Sequence, residues 1–328
     1  MADAPWRILA LLPLDPEIVR PILTGLDAEV TFPETRDRDG LHTAMADAEI
    51  VVGDFTGVLA LDAAAVAAAS RLAFVQMPQV GVDTCDLTAL SAADVPVANT
   101  AGANARAVAE WTLGAAIDLS RHVSWGDRRM RSGEWSQSDL LARGTREIHT
   151  QRVGIVGFGA IGTEVARLFV ALGCEVSYWS RRRRPESPAM YRGLEDLLTC
   201  SDILIVALPQ TAETAGLLGP ERLSLLPRGA LLINVSRGGI VPESGILDAL
   251  DNGHLAGAAL DVYESEPPAA GHPLRSHESV LLSPHVAGAT AQAQLNIVSL
   301  VMGNLRAAVN GDPVVNVVNE MDPLIRRR

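Results

Sequence analysis

The stretch Val153-Gly-Ile-Val-Gly157-Phe-Gly159-Ala160-Ile161-Gly162 decides the fold. A short apolar run, Arg152–Val156, leads into it, and a helical pattern, Thr163–Leu172, leaves it. The spacing G-x-G-x-x-G means little alone, but here it occupies the strand–turn–helix context that its chemistry requires. Each glycine then has its own duty. Gly157 permits the tight turn, Gly159 lets the backbone approach a pyrophosphate, and Gly162 lets the helix lie close on the strand. The helix start, with Ala160 and Ile161 in its first turn, favours the negative charge of that pyrophosphate. These five residues are predicted to bind a dinucleotide.

Outward from this stretch, further brief apolar runs recur at Glu175–Trp179, Ile203–Ala207, Ala230–Asn234, Ala256–Asp261 and Val280–Leu282, with helical or loop sequence between them. Such alternation predicts a parallel, doubly wound sheet. Toward the N-terminus a second series reads the same way. Strand candidates Arg7–Leu12, Glu49–Val52, Leu72–Gln76 and Val95–Asn99 alternate with helical patterns at Asp15–Leu26 and Asp62–Ala69. The interval from Leu26 to Glu49 reads as a polar, acidic stretch, and a turn follows at Thr100–Gly102. One long helix is predicted from Ala105 to Met130, its apolar side marked by Trp111, Leu113 and Ile117 beside Glu110, and a polar loop, Ser132–Thr150, follows. A last helix, Ala289–Asn310, has room to return to the first unit. The fold expected of these 328 residues is α/β, with two Rossmann-like or flavodoxin-like domains on parallel sheets.

Composition narrows the function classes. A formal net charge of −12 disfavours nucleic acid and anionic membranes as partners, because phosphate affinity comes largely from clustered Lys and Arg. Cys85, Cys174 and Cys200 lie far apart and form no CxxC pair, which suits a reducing compartment. The start, Met1–Leu14, lacks the basic region and long apolar core of a signal peptide, so the cytoplasm is the expected location. His272, His277 and His285 share one segment, but their spacing matches no familiar zinc motif, and no metal is expected. Asn234-Val-Ser236 formally matches a glycosylation acceptor, yet it follows an apolar strand and reads as coincidence.

The basic run Ser180-Arg181-Arg182-Arg183-Arg184 follows the strand ending at Trp179. An NAD-selective chain commonly places a carboxylate there for the ribose hydroxyls. Its replacement removes repulsion against a 2′-phosphate, and a guanidinium can supply paired charge-assisted bonds to one. Ser180, Arg181 and Arg182 are therefore expected to favour NADP(H), with NAD(H) possible; a solvated charge run is the alternative.

Three more segments complete the pattern: Asn234-Val-Ser-Arg237-Gly-Gly, Leu260-Asp261-Val-Tyr-Glu-Ser-Glu266-Pro267 and Ser283-Pro-His285-Val-Ala-Gly288. With Val80-Gly81-Val-Asp83, Asn99-Thr-Ala-Gly102, Val108-Ala-Glu110 and Leu208-Pro209, they follow one another as in the D-isomer-specific 2-hydroxyacid dehydrogenases, which the chain resembles over nearly its whole length. It is nearest in type to glyoxylate/hydroxypyruvate reductases. The resemblance implies that Arg237 binds the substrate carboxylate or carbonyl, that His285 is the acid/base, and that Glu266 holds and tunes the imidazole. It assigns the backbone at Val80 and Gly81 to the substrate carboxylate, Asp261 to the nicotinamide carboxamide, Leu208, Pro209 and Gly288 to the cofactor site, and Asn99 and Gly102 to a hinge. Asp261 could alternatively cap a buried strand.

Further expectations rest on the same resemblance. A substrate domain, 1–99 and 291–328, would surround a cofactor domain, 100–290, with a cleft that closes over the substrate, and the chain would be a homodimer. The expected reaction is reduction of a small 2-keto acid to the D-2-hydroxy acid. Reductases of larger aliphatic or aromatic keto acids are the alternative within the enzymes, and a dinucleotide-sensing interaction protein of the co-repressor type is the alternative outside them. Met77-Pro78-Gln79 departs from the small residues often found before Val80-Gly81, which leaves substrate size open. Phe55, Gln76 and Met77 read equally as pocket wall and as packing.

Overall fold

Five short segments near the N-terminus, four of them largely apolar, pair as parallel strands in the computed structural model, which describes residues 4–328. They are β1 (Trp6–Ala10), β2 (Ala28–Thr31), β3 (Ile50–Val52), β4 (Phe74–Gln76) and β5 (Val97–Ala98), in the order β2-β1-β3-β4-β5. Every residue of β3, β4 and β5 is buried, as a parallel sheet covered on both faces requires. Side chains alternate between two cores. Leu9, Val51 and Val75 join one; Ile8, Ile50, Val52 and Phe74 join the other, against Val301, Met302 and Leu305 of the final helix, Ala291–Asn310. The four helices between these strands begin on aspartate caps, with Asp15, Asp37, Asp62 and Asp86 each accepting a backbone N–H of the first turn.

Residues up to Ala103 and Ala291–Arg328 form one compact unit, and Asn104–Thr290 form the other. The first three positions of the Met1–Leu14 start lie outside the described residues. The interval from Leu26 to Glu49 is more ordered than its polarity suggests, for it holds β2 and the helix Arg38–Met45. As an edge strand, β2 buries none of its residues fully and so lacks a strong apolar signal. Gln76 and Met77 are core. Gln76 is wholly buried, donates to Met77 O at 2.9 Å and accepts from Asn304 of the final helix at 2.7 Å. Phe55 remains 45% exposed.

The second unit carries seven parallel strands: β6 (Arg152–Val156), β7 (Glu175–Trp179), β8 (Met190–Tyr191), β9 (Ile203–Val206), β10 (Ala230–Asn234), β11 (Leu255–Leu260) and β12 (Val280–Leu282). Their order is β12-β11-β10-β9-β6-β7-β8, so the winding reverses between β9 and β6. The glycine stretch leaves β6 at this switch point, where open α/β sheets bind ligands. Its helix is Ala160–Ala171, three residues earlier than the apolar pattern predicts, because Gly159 is already the cap.

The single helix expected from Ala105 to Met130 is two, Ala105–Arg121 and Val123–Arg131, parted at His122 with φ +52°. No Gly or Pro marks the break. Asp118, inside the first helix, accepts from Ser124 N at 2.6 Å, so the second helix is capped by a residue of the first. The buried side is also different from the one predicted. Val108, Ala109, Thr112, Ala115 and Ala116 are covered, whereas Ile117 is 39% exposed and Trp111 and Leu113 are only partly buried. Small residues let this helix approach the helix Ala160–Ala171 closely, which a search for large apolar side chains does not detect. The polar loop Ser132–Thr150 contains a short helix, Gln137–Ala142, and a 3-10 turn, Ile148–Thr150. Among the described residues no helix is long and apolar enough to cross a membrane.

A bidentate ion pair holds the start of β6 against β9. Asp202 takes Arg152 Nε and Nη2 at 2.9 and 2.8 Å and also the Arg152 N–H at 2.9 Å. The guanidinium contact, with this backbone bond, keeps the Asp202 carboxyl below its ordinary range. A depressed carboxyl contributes stability that is present above the unfolded-chain value and is lost as pH falls through the folded one. Asp202→Asn should therefore denature more readily than the parent at pH 7, with the difference narrowing toward pH 3. Denaturant midpoints measured across that range check this; a constant difference would contradict it.

Candidate active site

At the end of β6 the backbone leaves no room for side chains. Gly157 has φ +101°, and a Cβ there would lie 2.5 Å from Ala207 O and 2.7 Å from Leu208 Cβ, at the end of β9. A Cβ on Gly162 would strike Gly157 O and lie 3.4 Å from Ile155 Cγ2, so the helix rests directly on strand and turn. Gly159 differs, because its Cβ would meet nothing within 4 Å. It faces open space beside the first turn that holds Ala160 and Ile161. Packing explains two of the glycines and leaves the third as a cradle that a side chain would partly fill, which fits a pyrophosphate approaching a helix start. Leu208 is buried beside this turn and Pro209 is exposed.

The loop after β7 is anchored from within. Tyr178, stacked on Phe158 at 3.8 Å, accepts from Arg184 N at 2.7 Å and donates to Arg184 O at 3.1 Å. Ser180 Oγ donates to Arg182 O at 2.6 Å. Arg183 lies over the Tyr191 ring at 5.1 Å. Arg181 and Arg182 are exposed, Arg181 within 3.7 Å of the equally exposed Glu213. All four arginines are exposed; Arg182 and Arg184 hold the loop through backbone atoms, and Arg183 does so through its contact with Tyr191.

The remaining groups hang from three adjacent strand ends. Asn234 of β10 pairs in register with Leu260 of β11, and Leu260 with Leu282 of β12. Arg237, Glu266 and His285 lie three, six and three residues past these aligned positions. Glu266 Oε2 meets His285 Nδ1 at 2.7 Å, while its other oxygen accepts from Tyr263 N at 3.0 Å. Both side chains of the pair are partly exposed, 36% for Glu266 and 48% for His285. Nδ1 is thus the imidazole nitrogen that Glu266 engages, and Nε2 is not. Arg237 donates to Ser236 O at 2.7 Å and is half-buried.

Asp261 is almost wholly buried, and its carboxylate serves the histidine segment. One oxygen accepts from Ser283 Oγ and from Val286 N at 2.8 Å, and the other from Ala287 N at 2.9 Å. The Asp261 carbonyl also accepts from His285 N at 2.9 Å, and His285 is held at φ +54°. Here the structure supplies an observation for the strand-capping alternative. Gly288 packs so tightly on Asn104 that a Cβ would lie 2.5 Å from its Nδ2.

Several contributors were not singled out from the sequence. Asn234 accepts from Ser236 N and Oγ and donates to Arg237 O at 3.0 Å, shaping the arginine turn. Its near-complete burial fits structure rather than glycosylation. Gly238 is so close to Tyr263 that a Cβ would strike that carbonyl, which locks the arginine turn against the Glu266 loop. Glu243 accepts from Glu264 N at 3.0 Å while Glu264 accepts from Glu243 N at 2.9 Å. The three histidines considered together have separate partners: His272 pairs with Glu243, His277 with Asp251 and His285 with Glu266. In the other unit, Val80 O accepts from Asn99 Nδ2 at 2.6 Å, Gly81 is half-buried, and Gly102 has φ +90°.

A glycine turn at the sheet's switch point, with an Arg, Glu and His set on neighbouring strand ends, fits a nicotinamide-dependent oxidoreductase by class. The family model "D-isomer specific 2-hydroxyacid dehydrogenase, NAD binding domain" matches residues 113–287. A glyoxylate reductase of Aeropyrum pernix is 35% identical over 300 residues, covering 89% of this chain and 86% of that protein. A D-3-phosphoglycerate dehydrogenase of Archaeoglobus fulgidus is 32% identical, and the match covers 90% of this chain but only 55% of that protein. The structure of the NADPH-dependent glyoxylate/hydroxypyruvate reductase of Sinorhizobium meliloti with NADP and malonate superposes with a TM-score of 0.84 at 30% identity, covering 98% of this chain and 99% of that one. The chain belongs to the D-isomer-specific 2-hydroxyacid dehydrogenase family. It is an oxidoreductase using a nicotinamide dinucleotide with small 2-hydroxy or 2-keto acids.

The open space at Gly159 separates folding from binding. Gly159→Ala should melt at the parent temperature, because the added methyl meets no protein atom. It should nevertheless weaken the dinucleotide about tenfold or more, corresponding to roughly 1.4 kcal/mol. Calorimetric titration beside a thermal melt reads both, and unchanged affinity would show that the pyrophosphate lies elsewhere.

Proposed function

We propose that this protein reduces a small 2-keto acid of the glyoxylate or hydroxypyruvate type to the D-2-hydroxy acid, with NADPH as the preferred cofactor. The observation that carries the reading is the His285–Glu266 pair at 2.7 Å, set on strand ends aligned with that of Arg237. When bound, the nicotinamide supplies the hydride equivalent. The chain's own residues manage charge and proton. Arg237 neutralises the substrate carboxylate and polarises the carbonyl, with a planar fork that suits both oxygens. His285, protonated, donates from Nε2 to the carbonyl oxygen as negative charge develops there, and Glu266 on Nδ1 orients the imidazole. In the reverse reaction neutral His285 accepts the hydroxyl proton.

Gly157, Gly159, Ala160, Ile161 and Gly162 would hold the pyrophosphate, with Leu208, Pro209, Asp261 and Gly288 completing the cofactor's surroundings. The Val80 and Gly81 backbone is proposed to receive the substrate carboxylate, supported by the Asn99 bond to Val80 O. Residues 1–99 and 291–328 are proposed as the substrate domain, 100–290 as the cofactor domain, and Asn99 and Gly102 as the hinge. The preference for NADPH is supported by Ser180 in place of a carboxylate and by the exposed Arg181 and Arg182. Three free cysteines suit the reducing cytoplasm.

Oxidation of NADPH and NADH with glyoxylate, hydroxypyruvate and a panel of larger 2-keto acids tests this directly. The smaller acids should give the higher kcat/KM, and NADPH should exceed NADH. Replacing Arg181 and Arg182 together by Ala should raise the KM for NADPH about tenfold or more while leaving that for NADH within about twofold, as loss of charge-assisted bonds to one phosphate would do. An NADH preference in the parent would overturn the cofactor assignment. No turnover on any acid would favour a dinucleotide-sensing interaction protein.

A homodimer is proposed as well, supported by apolar side chains that the chain leaves uncovered: Trp135 is 77% exposed, Leu141 74% and Val123 57%. Sedimentation equilibrium should give twice the 34.7 kDa chain mass, and a monomer at micromolar concentration would contradict it.

A further inference from the structure

Tyr263 stands between the two halves of the proposed acid/base pair without belonging to it. Its amide donates to Glu266 Oε1 at 3.0 Å, leaving Oε2 for His285. Its phenol reaches the other way, donating to Ser283 O at 2.8 Å and lying 3.1 Å from Leu260 O. Ser283 is two residues before His285, and its hydroxyl is held by Asp261. A closed circuit results. It runs along the chain from Tyr263 to Glu266, across the hydrogen bond to His285, back along the chain to Ser283, and across the hydroxyl bond to Tyr263. Beside the Glu266–His285 bond itself and the bonds made by Asp261, the phenol O–H is a further side-chain contact that ties the carboxylate loop, three residues before Glu266, to the imidazole segment.

The rest of the side chain suits this duty. Tyr263 is 8% exposed and packs in the core with Leu260, Leu274 and Ile240. Its carbonyl lies against Gly238, in the turn carrying Arg237. Burial, with the Asp261 charge second, pushes its phenol above the ordinary value, so the group remains a donor throughout the working pH range. A phenylalanine would fill the same core. Packing alone therefore gives no reason for the hydroxyl, whereas Ser283 O does.

We propose that Tyr263 is a positioning residue whose hydroxyl fixes the separation of Glu266 and His285, so that the carboxylate stays on Nδ1 while Nε2 exchanges the substrate proton. The inference rests on the acid/base assignment of the preceding subsection. Without the hydroxyl the two segments can drift apart, and Glu266 is no longer held on Nδ1 of the imidazole.

The test compares the full-length parent with Tyr263→Phe, Glu266→Gln, the double variant and His285→Gln, using the keto acid of highest turnover in the panel. Tyr263→Phe should retain the parent melting temperature within a few degrees and the parent dinucleotide affinity. Its kcat should fall about five- to tenfold with KM within about twofold, the effect of a hydrogen bond realised in the reacting state. The high-pH limb of its reductive pH–rate profile should move to lower pH, in the direction that Glu266→Gln moves it but by less. The two substitutions should combine less than additively, because both act through one carboxylate. A parent-like kcat and pH limb would overturn the inference, as would a fall in kcat with an unmoved limb and full additivity, which is the signature of general loosening. If His285→Gln retained turnover, or no acid reacted, the acid/base assignment itself would fail, and the inference with it.

Discussion

Parallel pairing of β10, β11 and β12 is the constraint on which the site depends. Parallel strands all end on the same side, and the register Asn234–Leu260–Leu282 brings three ends level. The chain can then place an arginine, a carboxylate and an imidazole on neighbouring loops although they lie dozens of residues apart. A one-residue slip in any of these strands would turn its buried face outward, so the apolar core enforces the register that the chemistry uses. Ile233, Ala259 and Leu281 associate with one core and Leu232, Leu260 and Leu282 with the other, so both faces of this sheet resist such a slip.

Asp261 shows how much of the site is spent on holding rather than reacting. An isolated buried carboxylate is costly unless it is bonded, and this one receives a hydroxyl and two amides from the histidine segment. These contacts offset its desolvation and stabilise His285 in the left-handed region, which costs a non-glycine residue of order 1 kcal/mol or more. A segment so over-determined keeps the imidazole where the backbone puts it. The partly exposed Glu266 is then left to adjust one side chain, a task that two bonds suffice for.

Much of this was legible in the sequence, and the gaps have physical causes. Strands β6, β7 and β10 match their apolar runs residue for residue, because strands buried on both faces show up as largely unbroken hydrophobic segments, and the half-buried edge strand β12 matches through its all-apolar Val280–Leu282. The fold class followed from their alternation with helices. Edge strand β2 and the two-residue β8 escaped notice because they have little buried surface with which to mark a pattern. The break at His122 is made by an aspartate reaching forward from within a helix, which no periodicity reports. The catalytic candidates were legible through ordered motifs, whereas Tyr263 and Glu243 act through a carbonyl and an amide 20 and 21 residues away, and such partners exist only once the chain has folded.

The second unit also contains an internal comparison that refines what makes a histidine–carboxylate pair a site. His272 meets Glu243 at 3.0 Å, nearly as close as His285 meets Glu266, and is more shielded, with side-chain exposures of 23% and 11%. By distance and burial alone it would be the better candidate. Its surroundings argue otherwise. Glu243 already accepts the amide of Glu264, and His272 Nδ1 takes the amide of Leu274, so both atoms of that imidazole have structural partners. His285 has one nitrogen on Glu266 and the other turned to no group of its own loop, at strand ends aligned with the arginine turn. A reacting histidine must keep one nitrogen unspent, and this requirement distinguishes His285 from His272 where proximity to a carboxylate does not.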